Sequence, residues 1–241
     1  MTMRFFVEQA LSADLVFDLP TGAARHAQVR RVQPGDALVL FDGAGSDWTA
    51  TVLAVTRNGV RVQVGPGLPV ARELTPEVTV ALAMPANERM DTLVEKATEL
   101  GVAAVQPLLA ARSVLRLAGE RAERKRAHWQ AIAQAACEQC GRARVPVVAP
   151  VRELGDWLRA PPEGERWLLS LAPDAAAPAV PAGPRLVTLS GPEGGFTAEE
   201  EATARAAGFR AVALGPRVLR ADTAPLAVLG WLGLTGGPKV G

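Results

Sequence analysis

Hydrophobic and polar positions follow a strand-like pattern in roughly the first seventy residues. Short apolar runs separated by Gly, Pro and Asn are typical of strands joined by tight turns. Asn58-Gly59 predicts a hairpin with a type I′ turn, because both central residues of that turn need positive φ. With a short helix expected around residues 22–32, this part of the chain predicts a small β-barrel. The strand-like runs are residues 3–8, 37–42, 48–55 and 60–64.

The pattern changes after residue 70, where strands begin to alternate with helices. Residues 65–69 read Gly-Pro-Gly-Leu-Pro and break the periodicity, so we predict two domains, 1–70 and 71–241. Residues 78–84 are continuously apolar, as expected of a strand buried on both faces of a parallel sheet. The alternation predicts an α/β fold with a mostly parallel sheet. Further strands are expected at 102–109, 145–149, 166–172, 185–190 and 210–215, and helices at 90–100, before Cys140, from Thr197 and at 224–234.

Two loops of this α/β region are the places where a ligand is expected. Ligands of open α/β sheets bind beyond the carboxyl ends of the strands, here after residues 185–190 and 210–215. The first loop begins Gly191-Pro192-Glu193-Gly194-Gly195, which fits neither a phosphate-binding P-loop nor the dinucleotide fingerprint. The glycines by themselves are explained as well by a tight strand-to-helix turn. If a ligand binds, they favour an adenosine-bearing molecule held by main-chain groups.

Basic residues are concentrated in two segments of a nearly neutral chain. The net charge is +1, which gives no reason to expect a nucleic-acid partner. Between Arg112 and Arg144, however, eight Lys or Arg residues face three Glu residues, and Arg25, His26, Arg30 and Arg31 form a second group. Such a face suits phosphate recognition. A solvated helix face explains the longer segment equally well.

Composition favours a globular protein without metal or disulfide. Hydrophobic residues make up 49% of the chain, no apolar run approaches a membrane span, and residues 1–15 lack a signal-peptide core, so we expect a cytoplasmic location. Cys137 and Cys140 form a C-x-x-C pair on the apolar stripe of a helix, which favours core packing over zinc or redox roles. His26 and His128 are far apart in sequence, and we expect no metal site.

Four strings of the sequence carry a family pattern. They are EKATELGV (95–102), AACEQCGRARVP (135–146), LSGPEGGFTAEE (189–200) and LGPRVLRADTA (214–224). With RFFV near the start and HAQVRRVQPGD after it, the chain resembles the 16S ribosomal RNA uracil-N3 methyltransferases of the SPOUT class. The resemblance implies an N-terminal PUA-like or OB-like barrel, a C-terminal α/β domain with a deep trefoil knot, S-adenosyl-L-methionine as methyl donor, and a homodimer that binds the small ribosomal subunit.

The resemblance also implies roles for individual residues. Arg220, Asp222 and Glu193 would be catalytic. Asp222 stands where the family usually has Glu, and residues 85–89 lack a lysine that the family often carries. The implied cofactor-binding residues are Leu171, Gly191, Pro192, Glu193, Gly194, Gly195, Leu214, Gly215, Val218, Leu219 and Ala224. The implied RNA-binding residues are Arg4, Arg25, His26, Arg30, Arg31, Arg112, Arg142 and Arg144.

The implied reaction moves a methyl group from a sulfonium to N3 of a specific uridine in small-subunit ribosomal RNA. Because N3 carries a proton at neutral pH, the reaction needs a base or a group that stabilises the deprotonated ring. Asp222 or Glu193 would accept the proton, and Arg220 would stabilise charge on a uracil carbonyl. Two alternatives remain: a related methyltransferase acting on transfer RNA, and a noncatalytic RNA-binding or ribosome-assembly protein.

Overall fold

The computed structural model describes residues 3–236. The chain divides into two compact units. The first comprises Met1–Arg72 together with Gln134–Val145, and the second comprises Glu73–Ala133 together with Pro146–Gly241.

The first unit is built on a five-stranded sheet with the strand order β1-β3-β4-β5-β2. Strands β1 and β3 are parallel, and the other neighbours are antiparallel. Alternating side chains of β5, such as Val60, Val62 and Val64, are buried, and the alanine face of α1 packs into the same core. The expected β structure is confirmed. The elements are β1 Met3–Phe6, β2 Val16–Asp18, α1 Thr21–Val29, β3 Ala37–Phe41, β4 Ser46–Thr56 and β5 Gly59–Pro69.

The predicted hairpin is confirmed, but its predicted turn is wrong. Thr56 pairs with Gly59, so Arg57 and Asn58 occupy the two central positions. Among the described residues other than glycine, positive φ occurs only at Asp14 and Arg31, and Gly59 also has no left-handed φ. The turn is therefore not type I′ and begins one residue earlier than the Asn-Gly pair indicated.

The second unit is an α/β structure around a seven-stranded sheet in which every pairing is parallel. The order is β12-β10-β11-β6-β7-β8, with β9 also paired to β7. The predicted parallel α/β fold is confirmed. The elements are β6 Glu77–Ala83, α2 Asn87–Glu99, β7 Ala104–Leu109, α3 Gly119–Cys140, β8 Val147–Val148, β9 Arg152–Glu153, α4 Leu154–Leu158, β10 Glu165–Leu169, β11 Arg185–Ser190, α5 Ala198–Ala206, β12 Arg210–Val212 and α6 Thr223–Gly236.

The short elements β2, β9 and α4 were not predicted, because two to five residues are too few to establish a period. The ends of α2 and α5 follow the sequence signals. Gly101 and Gly208 adopt positive φ just beyond them, and Thr197 forms a capping box with Glu200 at the start of α5. The trefoil knot is not defined by strand order and stays a prediction.

The order of three strands positions the candidate site. From β10 the chain runs to its neighbour β11, and it then crosses to the other side of β10 to form β12. Such a reversal leaves a crevice at the carboxyl ends of the strands. Leu169, Ser190 and Val212 end the three strands, and the loops that follow them meet at this edge.

Candidate functional site

A cavity of about 550 Å³ lies at the carboxyl ends of β10, β11 and β12. This volume is within the range of sites for small molecules and cofactors. Its walls come from the three loops that follow these strands. The lining residues are Leu169, Ser170, Leu171, Ser190, Gly191, Pro192, Glu193, Gly194, Gly195, Phe196, Glu201, Val212, Leu214, Arg217, Val218, Leu219, Arg220, Ala221 and Ala224.

The loop after β11, residues 191–196, is a tight turn that presents main-chain atoms to the cavity. A Cβ on Gly191 would lie 3.1 Å from the backbone nitrogen of Phe196, closer than the turn can accept without moving. The Gly195 amide donates to the carbonyl of Pro192 at 2.8 Å, and Gly195 itself has a φ of 67°. Glycine is favoured at Gly191 by the close approach of Phe196 and at Gly195 by the left-handed backbone.

The structure brings nearly all the predicted cofactor-binding residues to this cavity. Gly215, with a φ of 96°, is the exception: it lies in the same loop as Leu214 and Val218 but outside the lining set. That the lining residues bind a cofactor stays a prediction. The predicted residues that do line the cavity are Leu171, Gly191, Pro192, Glu193, Gly194, Gly195, Leu214, Val218, Leu219 and Ala224.

Ser190 is a cavity residue that the sequence reasoning missed. It is only 3% exposed, and its Oγ has no hydrogen-bond partner among the described residues. A buried hydroxyl without a protein partner at a cavity wall is available to hydrogen-bond a bound molecule or a water. The sequence could have indicated this role, because Ser190 is the last residue of β11, where ligands of parallel sheets bind. The other missed lining residues are Leu169, Ser170, Phe196, Glu201, Val212, Arg217 and Ala221.

The three predicted catalytic residues have different surroundings. Arg220 is exposed and lines the cavity, and its carbonyl accepts the amides of Thr223 and Ala224 at the start of α6. Asp222 lies outside the lining set, and its Oδ1 is buried with no hydrogen-bond partner among the described residues. Glu193 lines the cavity but forms an ion pair with Arg89 at 3.2 Å. Arg220 is thus a cation at the cavity, Asp222 has one buried carboxylate oxygen without a partner, and the charge of Glu193 is compensated by an arginine.

The predicted RNA-binding residues of the first unit are partly exposed and partly buried. Arg25, Arg30 and Arg31 are exposed on or just after α1. The Nδ1 atom of His26 lies 3.8 Å from a Glu138 carboxylate oxygen, and burial raises the pKa of Glu138.

Arg4 has a mostly buried side chain. It forms an ion pair with Asp47, donates to the carbonyl of Arg142 at 3.1 Å and lies 4.7 Å above the Phe41 ring. These contacts give Arg4 a place in the packing of the first unit.

Arg142 was predicted to face RNA, but its side chain is buried. It is 3% exposed, whereas Arg144, two residues later, is exposed. Gly141, with a φ of 85°, ends α3 and turns the chain, and the Gly45 amide then donates to the carbonyl of Ala143. This turn places one arginine inside the unit and the other at its surface, a difference that charge counting cannot detect.

Arg112 is another predicted RNA-binding residue, and its guanidinium is bonded to the loop 191–196. Its Nη1 donates to the carbonyl of Gly194 at 2.8 Å and approaches that of Phe196 at 3.3 Å. The side chain is exposed, so RNA contact stays a prediction, but the contacts present in the structure are with the wall of the cavity.

The cysteine pair packs at the end of α3. Cys137 is buried against Phe41 and Ala143, as expected of core packing, whereas Cys140 is only half-buried and lies outside this cluster. Hydrogen bonding to Cys137, with smaller contributions from the neighbouring Arg142, lowers the pKa of Cys140 to about 6 although burial opposes this. Within residues 3–236, no cluster of three His, Cys, Asp or Glu side chains could hold a metal ion. No helix in that range combines the length and apolar character that a membrane span needs.

Comparison with known proteins identifies relatives along the whole chain. The family model of the RNA methyltransferase domain matches residues 72–233, and that of the RNA methyltransferase PUA domain matches residues 19–65. Ribosomal RNA small subunit methyltransferase E of Mycobacterium bovis is 35% identical, covering 97% of this chain and 92% of its own length. The protein of that name from Bacillus subtilis is 31% identical and is covered over 94% of both chains.

Solved structures agree with these matches. The crystal structure of a ribosomal RNA small subunit methyltransferase E from Neisseria gonorrhoeae, bound to S-adenosyl methionine, has a TM-score of 0.90 with this chain. The two are 35% identical, and 98% of each chain is covered. The chain therefore belongs to the RNA methyltransferase family whose curated members include ribosomal RNA small subunit methyltransferase E.

Proposed function

We propose that this protein transfers the methyl group of S-adenosylmethionine to N3 of a specific uridine in small-subunit ribosomal RNA. The cavity at the carboxyl ends of β10, β11 and β12 carries this proposal, because most of the cofactor-binding residues predicted from the sequence line it. Family membership supports the reaction class, and the relative from Neisseria gonorrhoeae binds the same methyl donor. The target atom and nucleotide rest on the resemblance of the sequence motifs.

The residues present fit the proposed cofactor. The volume of about 550 Å³ accommodates a nucleoside with an amino-acid tail. Gly191, Gly194 and Gly195 line the cavity and have no side chains, so they offer main-chain groups to the cofactor. The unpartnered Ser190 hydroxyl offers a hydrogen bond to one of its polar groups. Leu171, Leu214 and Leu219 supply apolar surface around it. Bound S-adenosylmethionine would supply an electrophilic methyl group on a sulfonium.

Arg220 and Asp222 are the protein groups that act on the uracil in this proposal. Arg220 lines the cavity, and its fixed positive charge would stabilise the negative charge that develops on a uracil carbonyl as N3 loses its proton. The Asp222 carboxylate would accept that proton, since its Oδ1 has no partner to satisfy it. Both residues belong to the turn before α6, so one segment would orient the reacting base.

Basic surfaces in both units would bind the RNA backbone. We propose that residues 1–70 form an RNA-binding domain, with Arg25, Arg30 and Arg31 exposed on it, and that residues 71–241 form the methyltransferase domain. On α3, a second, shallower cavity of about 260 Å³ is lined entirely by basic or titratable side chains. Such groups supply sequence-independent, salt-dependent affinity for phosphates. They are Arg121, Arg124, Lys125 and His128.

A homodimer is part of the same proposal. Leu171 and Val218 line the cavity yet are 59% and 80% exposed, and Leu234 on α6 is 91% exposed. Exposed apolar side chains at a site are suited to contact with a second subunit. Light scattering of the purified protein tests this, with the mass of one chain as the contradicting result. Acting on ribosomal subunits, the protein would work in the cytoplasm.

The first experiment is transfer of labelled methyl from S-adenosylmethionine to small ribosomal subunits that lack the modification, followed by mass spectrometry of digested nucleosides. We expect 3-methyluridine. Transfer to transfer RNA instead would favour the first alternative. Cofactor binding without methyl transfer to either RNA would show that the proposed substrate is wrong. If calorimetry detects no cofactor binding, a noncatalytic RNA-binding protein would be favoured.

A further inference from the structure

The loop after β7 is bonded to the glycine loop 191–196 through an arginine. Arg112 Nη1 donates to the carbonyls of Gly194, at 2.8 Å, and Phe196, at 3.3 Å. Gly194 and Phe196 both line the cavity. The methylene stem of Arg112 also packs on Gly194, where an added Cβ would lie 3.4 Å from it. Arg112 does not line the cavity itself, but it is hydrogen-bonded to two residues that do.

A second contact joins the same two loops independently. The Ala111 amide donates to Oε1 of Glu200 at 2.7 Å. The other oxygen of that carboxylate accepts the Thr197 amide at 2.8 Å, and the Glu200 amide donates to Thr197 Oγ1 at 3.1 Å. Glu200 thus links the end of the glycine loop to the residue before Arg112.

The loop that carries Arg112 is itself fixed. Ser113 is 6% exposed, and its Oγ accepts the Ala110 amide at 3.0 Å. The Ser113 amide donates to the carbonyl of Ala110 at 3.1 Å, and Arg116 donates to that of Ala111 at 2.9 Å. An arginine on a mobile loop would only follow the glycine loop, whereas one on this loop can restrain it.

The geometry points to Arg112 as a positioning residue that holds the glycine loop in its cofactor-binding conformation. A segment with three glycines in five residues loses much conformational entropy when it is ordered. If Arg112 and Glu200 order the loop before the cofactor binds, the binding free energy is not reduced by the cost of ordering it. This role rests on the proposed function, and it replaces a direct contact between Arg112 and RNA as the main contribution of this residue.

Calorimetric titration of RNA-free protein with S-adenosylmethionine tests the inference. Arg112→Ala removes both hydrogen bonds to the loop, and we expect the affinity to fall about tenfold. Arg112→Lys, which can still donate to one carbonyl, should recover part of it. Glu200→Gln, which loses one of two carboxylate acceptors, should lie between parent and Arg112→Ala.

Arg159→Ala is the matched control, because it removes the same charge from an 80% exposed side chain in the second unit. It should leave affinity unchanged. Melting temperatures separate loop positioning from unfolding, and if Arg112→Ala is unstable, Arg112→Lys and Glu200→Gln decide. Unchanged cofactor affinity in all three variants would overturn the inference. A fall of about one in the salt slope of binding to small ribosomal subunits, with cofactor affinity unchanged, would establish RNA contact instead.

The inference and the proposed function fail in different ways. A parent protein that binds S-adenosylmethionine but methylates no ribosomal RNA contradicts the proposed function, while the affinities of the variants still test the role of Arg112. A parent that methylates normally, with Arg112→Ala showing parental cofactor affinity, contradicts only the role of Arg112.

Discussion

The Glu193 carboxylate forms an ion pair with the Arg89 guanidinium, with 3.2 Å between Oε1 and Nη1. Arg89 lies in the first turn of α2, within the segment where the family often has lysine, so a cation is present there after all. The pairing compensates the charge of Glu193 and occupies one of its oxygens. Of the two carboxylates predicted to act as base, Glu193 lines the cavity but is paired, whereas Asp222 lies just outside the lining residues and has an unpartnered Oδ1; we favour Asp222 because its acceptor is not engaged.

Replacing the two carboxylates by amides should separate their roles. We expect Asp222→Asn to lower the single-turnover rate of methyl transfer by on the order of 10²-fold or more, because the proton acceptor is lost. Glu193→Gln should lower it much less. Rapid-quench measurements at saturating cofactor check this. Equal losses in both variants, or a larger loss in Glu193→Gln, would reverse the assignment.

Arg220 is expected to act in the chemical step. Arg220→Ala should reduce the single-turnover rate by on the order of 10²–10³-fold, because a charge aimed at the developing oxyanion is removed. The fold should persist, since the side chain is exposed and the bonds to Thr223 and Ala224 use its carbonyl. Circular dichroism provides that control. A parental rate would remove Arg220 from the mechanism.

Gly191 should be intolerant of even one methyl group. The added Cβ would meet the backbone of Gly195 and Phe196 at 3.1–3.3 Å, so the backbone of this tight turn has to shift by a few tenths of an ångström. We expect Gly191→Ala to weaken S-adenosylmethionine binding by about tenfold or more. Gly183→Ala is the control, because nothing lies within 4 Å of its added Cβ. Similar affinities for the two variants, measured by calorimetry, would contradict the description of the loop.

Arg142 and Arg144 should respond differently to truncation. Arg144 is exposed, so Arg144→Ala should lower the salt slope of RNA binding by about one without changing the melting temperature. Arg142 is 3% exposed, and Arg142→Ala should lower the free energy of unfolding by about 1–3 kcal/mol. Urea denaturation and filter binding at several salt concentrations measure both. An undiminished stability of Arg142→Ala would show that its burial matters little.

Cys140 should react as a thiolate below neutral pH. Its pKa is lowered to about 6, so the rate of alkylation by iodoacetamide should rise through pH 6 and level off near neutrality. Buried Cys137 should react far more slowly. Tandem mass spectrometry assigns the label to either cysteine. Cys137→Ala removes the hydrogen bond that contributes most to the lowered pKa and should move the midpoint upward; an ordinary thiol midpoint in the parent would contradict the contact.

Local patterns along the chain determined the type of most elements. The apolar run 78–84 indicated a strand buried on both faces, and Thr197 with Glu200 marked the start of α5, because these signals act between residues close in sequence. The strings around Gly191 and Arg220 likewise indicated the cofactor loops and the function.

Tertiary structure alone decided which side chains meet. Arg112 and Gly194 are 82 positions apart, and the burial of Arg142 beside an exposed Arg144 depends on the turn that follows α3. Equal charges in one basic segment thus acquired different environments. Contacts between distant residues depend on the packing of whole elements, so neither charge counting nor periodicity could distinguish a loop restraint, a buried cation and an exposed cation.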